Sequence, residues 1–204
     1  MTIARSTHVL RLAGVLAIAA IAVSACGSTA PGAAAVIGDN RISESALTTE
    51  VQSVLSAQGL GVDTSDATLT AKTLDRMVKS ELVDLLATEA GIEVTQGQID
   101  AELQSYDVQA GGRDKVEEIF LQQGIAPSQV ADVVVLNLQV AALSEALVPG
   151  GDQQTQGNAL VQALSVLSEV LDTRVSPRYG TWDPASLAVG TVPDDLSAPA
   201  PAAG

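Results

Sequence analysis

Apolar positions recur at helical spacing in six stretches of the chain, each bounded by capping residues, glycine or proline. The first opens at "VIGDNRISESAL", where Gly38-Asp39-Asn40 marks a tight turn after the short apolar strand "AVI". Ser43 is placed to cap a helix, with Ile42 and Leu47 as a hydrophobic staple. Leu47, Val51, Val54 and Leu55 continue on one face until Gly59. A second helix is expected over about 68–90, with Leu74, Met77, Val78, Leu82, Leu85 and Leu86 as its stripe and Gly91 past its end. "VTQGQI" gives the third helix a capping box, Thr95 with Gln98, and a staple, Val94 with Ile99. Its apolar face runs through Leu103 to Tyr106. The fourth, 114–123, carries Val116, Ile119 and Phe120 and stops at Gly124.

The fifth stretch opens with Pro127 in its first turn and Ser128 as a cap. "VADVVVLNLQVAALSEAL" is apolar around most of its circumference, which predicts a buried central helix. The polar "PGGDQQTQG", residues 149–157, breaks the pattern before a sixth helix over about 158–171, striped by Leu160, Leu164, Leu167 and Leu171. "TRVSP" then suits a short edge strand closed by proline. It offers a partner to "AVI", whose backbone groups would otherwise stay unpaired. The expected fold is therefore mainly α, six helices with a small two-strand β closure formed by the two ends. Two of the four aromatic residues, Tyr179 and Trp182, stand beside Arg178 in "SPRYGTWD" at that closure. Arg178, Tyr179 and Trp182 read as its structural cap; contact with a bound polypeptide is the alternative.

Two end segments lack this periodicity. Residues 1–25 hold Arg5 and Arg11, the apolar run "LAGVLAIAAIAV" and small residues after it, the layout of a secretory signal. The run falls short of the roughly 20 residues a membrane span needs. "VSAC" resembles the bacterial lipobox, and the resemblance implies that Cys26 is lipid-modified and becomes the first residue of the mature protein. The lipid would tie it to the extracytoplasmic face of the cell membrane. Cys26 is the sole cysteine, so no disulfide forms within the chain. Residues 26–34 read as a flexible tether, 35–186 as the helical domain and 187–204 as a disordered Pro/Ala-rich tail.

Charge narrows the partners. Without residues 1–25, eight basic residues face 24 acidic ones, a net charge of −16. Nucleic acid and anionic lipid headgroups are poor partners for such a surface. The sole histidine, His8, lies in the segment expected to be removed, which leaves no Ser-His or Cys-His pair and no histidine zinc site. "GLGVDT" lacks the Gly-Lys-Ser/Thr end of a phosphate loop. Asp75, Glu81, Asp84 and Glu89 read as a solvated face, with Asp75 and Lys79 paired at i, i+4. Asp114, Glu117 and Glu118 complement a helix dipole. No catalytic, metal or cofactor residue is nominated, and no small-molecule substrate is evident.

Three stretches carry a family resemblance. "AAVIGDNRISESAL" resembles the start of the N-terminal domain of SurA- and PrsA-type extracytoplasmic chaperones, "AGIEVTQGQIDAEL" its third helix and "SPRYGTWD" its closing strand. The likeness covers about residues 34–184, in the family's order, and is nearest to SurA-N-like lipoproteins of actinobacteria. In full-length relatives a parvulin-type prolyl isomerase domain of roughly 100 residues sits between the last long helices; here that place holds the nine residues 149–157. The resemblance thus implies the chaperone module without catalysis, binding unfolded or partly folded exported polypeptides in a helical cradle and needing no cofactor. A structural or adaptor lipoprotein with one dedicated folded partner is the second reading. A peptidyl-prolyl isomerase is the third.

Overall fold

One helix organises the packing. The structure, a computed structural model, describes residues 31–61 and 64–192. In order these form β1 (Ala33–Ile37), β2 (Asn40–Ser43), α1 (Glu44–Ala57), α2 (Ala67–Glu89), α3 (Gln96–Ala110), α4 (Arg113–Gln122), α5 (Val130–Leu147), α6 (Gln153–Val170), β3 (Arg174–Val175), β4 (Trp182–Asp183) and β5 (Ala188–Val189). The fold is mainly α. A 3-10 turn, Pro127–Gln129, leads into α5. Helix α2 touches α1, α5, α6, β1 and β5, and its Leu74, Val78 and Leu82 are completely buried. Each such leucine stabilises the fold by about 1.5–3 kcal/mol through burial alone.

Local signals act as their chemistry requires. The Ser43 side chain accepts from Ala46 N at the start of α1, and Asp66 caps α2 by accepting from Leu69 N. Thr95 and Gln98 form the capping box of α3. Ser128 caps nothing, because the chain enters α5 through the 3-10 turn with Pro127 in first place. Gly38 sits at φ +57° in the two-residue turn between β1 and β2, and its N–H donates to Leu171 O at 2.8 Å.

The two ends do close on each other. β1 lies between β2 and β3, antiparallel to both, with Ala35 opposite Val175 and Val36 opposite Arg174. The closure holds one strand more than the two expected, because "NRIS" returns along β1 before α1 begins. A second hairpin pairs Trp182 with Val189 and Asp183 with Ala188.

Three boundaries and the reading of one helix need correction. Ala33 and Ala34, assigned to the tether, are buried in β1 beneath α2. Small side chains there allow close approach of helix to strand, which composition alone does not distinguish from a linker. Leu187, assigned to the tail, is 6% exposed in the core cluster, and the described chain continues to residue 192. The polar break shrinks to residues 148–152, because Asp152 accepts from Thr155 N at 2.9 Å and starts α6 early. That hydrogen-bonding holds the Asp152 carboxyl below the usual carboxylate range. Finally, α5 is not the buried central helix: only Val130, Val134, Gln139 and Leu143 are buried, and α2 holds the centre. Cys26 and the rest of both end segments lie outside the described residues.

The β4–β5 hairpin explains the glycine in "RYGTWD". Gly180 has φ +135°, and a Cβ there would collide with Gly190 O. Leu187 itself adopts φ +49°, a conformation that leucine holds here by burying its side chain. Leu187→Ala should therefore lower stability by about 2–3 kcal/mol in urea unfolding followed by circular dichroism. Gly180→Ala should destabilise too, whereas a loss within about 0.5 kcal/mol for both would show that the hairpin contributes nothing to the domain.

Candidate functional site

A groove runs between α2 and α5. One wall carries Met77, Ser80, Glu81 and Asp84, and the other carries Asp132, Val133, Val135, Leu136 and Gln139. Both sets repeat at three and four residues, so each lies on one helical face. Ile42 of β2 closes one side, and the broad part encloses about 370 Å³. Met77, Val135 and Leu136 are half-buried, so the floor is apolar and reachable.

Two polar clasps fix the spacing of the walls. At one end Gln129, 7% exposed, ties three elements together. Its Oε1 accepts from Arg76 Nη2 at 3.2 Å and from Ala126 N at 3.0 Å, while its Nε2 donates to Glu50 Oε2 at 3.2 Å. Arg76 also pairs with Glu50 at 3.0 Å and donates to Gly124 O at 3.2 Å. At the other end Gln139 Nε2 donates to Asp84 Oδ1 at 2.9 Å. From Arg76 to Asp84 the helix rises about 12 Å, a length that three or four extended residues match.

A second apolar surface lies on α3 and α4. No side chain of α3 is buried, and Asp107 grips Arg113 through two hydrogen bonds of 2.8 and 2.9 Å to hold the two helices together. The Arg113 guanidinium keeps the Asp107 carboxyl below its ordinary range. The tilted rings of Tyr106 and Phe120, with centres 6.0 Å apart, line a hollow of about 270 Å³ together with Ile119 and Val116.

The residues nominated from sequence lie elsewhere and do three different things. Arg178 Nη1 pairs with Glu44 at 3.0 Å and its guanidinium stands 5.2 Å over the Tyr179 ring. Tyr179 packs on the core; burial pushes its phenol above its ordinary range, with Arg178 opposing. Both also line a wide hollow against the first turns of α2. Trp182 packs on the core and its Nε1 donates to the buried Ser168 Oγ at 2.7 Å. Asp75 was read as solvated; it pairs with Lys79 at 2.7 Å as expected, but its other oxygen accepts from Val189 N and so anchors β5. The groove itself escaped the sequence reading, because its clasps join residues 53 and 55 positions apart. Among the described residues, no group of three or more His, Cys, Asp or Glu could hold a metal ion.

A family model described as the SurA-like N-terminal domain matches residues 2–143. The chain belongs to that family. It is a chaperone-type family, and the SurA-like N-terminal domain is not a catalytic one. No curated protein and no solved structure matches the chain. The matched stretch ends within α5, so α6 and the closing "SPRYGTWD" lie outside it.

Trp182 gives this closure a direct readout, being the sole tryptophan. Its native emission should be blue-shifted and move red on denaturation. Trp182→Ala should cost about 2 kcal/mol, below the range for a fully buried ring because part of the indole is exposed. Emission already at the exposed position, with an unchanged unfolding midpoint, would contradict the closure.

Proposed function

We propose that this SurA-like protein is a lipid-anchored, extracytoplasmic chaperone-like module that holds unfolded or partly folded exported polypeptides without catalysing a reaction on them. The groove between α2 and α5 is the binding site, and apolar contact supplies most of the affinity.

The observation that carries this reading is the surface of α5. The segment Pro127–Leu147 is strongly apolar, yet within it only Gln129, Val130, Val134, Gln139 and Leu143 are buried. Apolar side chains left reachable between two helices and rimmed by polar groups suit a docking site. Here α2 and α6 cover one side of α5 and α3 another, while Val133, Val135 and Leu136 stay half-exposed along the groove. Family membership favours the same reading, since the SurA-like N-terminal domain is of chaperone type. The lipid anchor rests on Cys26 in "VSAC" and would hold the groove close to emerging chains.

Four outcomes are expected. Cys26→Ser abolishes lipid labelling and releases the protein from washed membranes; unchanged labelling refutes the anchor. The protein suppresses aggregation of several unrelated unfolded proteins, and Leu136→Glu weakens that effect at least several-fold while the fold survives by circular dichroism. Suppression of none, with tight capture of a single folded envelope protein, would favour the adaptor reading instead. In a proline-limited peptide assay the rate stays at the uncatalysed value, and saturable acceleration would overturn the non-enzymatic reading.

A further inference from the structure

The groove is unbalanced in charge. Among its described lining residues Arg76 is the one cation, and Glu50 holds it at 3.0 Å. Glu81 accepts from Asn40 Nδ2 at 2.6 Å and Asp84 from Gln139 Nε2 at 2.9 Å. These amides satisfy lone pairs and fix the carboxylates in place, but they neutralise no charge. Asp132 stands exposed on the facing wall, in the first turn of α5. Three carboxylates thus border an apolar floor from both sides, with no lining cation to offset them.

We propose that the groove selects segments in which an aliphatic or aromatic side chain is flanked by lysine or arginine. The proposal rests on the reading of this groove as a polypeptide-binding site and names its ligand class. An extended segment of three or four residues fits between the clasps. Its apolar side chain meets Met77, Val135 and Leu136. Neighbouring lysine or arginine stems lie along the apolar wall while their charged heads reach the rim. Each exposed ion pair contributes little, up to about fivefold in affinity, so three rim carboxylates together give roughly tenfold discrimination. Acidic segments meet like charge and are rejected.

The test uses the full-length protein in mild nonionic detergent and fluorescein-labelled peptides SKLFKS, SSLFSS and SELFES, followed by anisotropy. SKLFKS should bind about tenfold more tightly than SSLFSS at low salt, and SELFES more weakly still. The advantage should shrink to about threefold or less near 1 M salt, where the screening length is about 3 Å. Glu81→Gln/Asp84→Asn/Asp132→Asn should remove the preference, so that SKLFKS and SSLFSS bind alike. A control with the same charge change away from the groove, Glu93→Gln/Asp100→Asn/Glu169→Gln, should keep it. Equal binding of SKLFKS and SSLFSS overturns the selectivity and leaves the polypeptide-binding reading standing. Equal loss in both triple variants shows a diffuse effect of net charge and overturns it as well. No binding of any peptide overturns both.

Discussion

The domain depends on the pairing of β1 with β3. β1 has two edges, and β2 satisfies only one of them. The other is satisfied by a strand that begins 137 residues beyond the end of β1, through the Ala35–Val175 and Val36–Arg174 pairs and the bond from Ser176 N to Ala34 O. Buried strand groups left unpaired are costly, so the segment after α6 cannot leave without exposing the sheet under α2. Everything in that segment adds to the same closure. Arg178 reaches Glu44 in the first turn of α1, Trp182 reaches Ser168 of α6, and Val189 N reaches Asp75 of α2. Three helices are therefore tied to the end strands by one short stretch.

That closure leaves Leu74, Val78 and Leu82 of α2 fully buried and Val133, Val135 and Leu136 of α5 half-exposed. Leu74, Val78 and Leu82 face the sheet and the neighbouring helices. The groove forms where Met77, Ser80, Glu81 and Asp84, on a different side of α2, meet the flank of α5. Side-chain bonds clasp it at two points, at Arg76–Gln129 and at Asp84–Gln139.

Local elements were legible in the sequence because caps and stripes act within a few residues. Ser43, the Thr95–Gln98 box and the Leu47–Leu55 face are examples. The reading of α5 failed for a physical reason. An apolar face tells a helix which way to turn, but a helix apolar all round carries no such direction, and its apolarity does not say how much is covered. The tail boundary failed similarly. "DPASLAVG" is poor in large side chains, yet a hairpin folds its one leucine back into the core. Asp152 was hidden inside a polar run whose composition suggested a loop, although Asp-x-x-Thr is a capping arrangement. The pairs that build the groove could not be read at all, since no local rule links Arg76 to Gln129 or Asp84 to Gln139.

Composition bears on the proposed polypeptide-binding role. Surfaces that accept many partners tend to be rich in methionine and aromatic side chains, which re-pack around different shapes. This chain has few, but their placement is uneven. Met77, the one methionine among the described residues, lies in the floor of the groove. Tyr106 and Phe120 form the hollow on α3 and α4, while Tyr179 and Trp182 are committed to the closure. Adaptable side chains are thus scarce, and half of the aromatic ones are held by structure. The valines of α5 are β-branched and stiff, so they offer area without much accommodation. A groove built this way gains little discrimination from shape-fitting of its apolar floor. On the proposed reading, fixed carboxylates on its rim are then the more selective part of the surface, because charge acts over distances at which the fit of a methyl group does not.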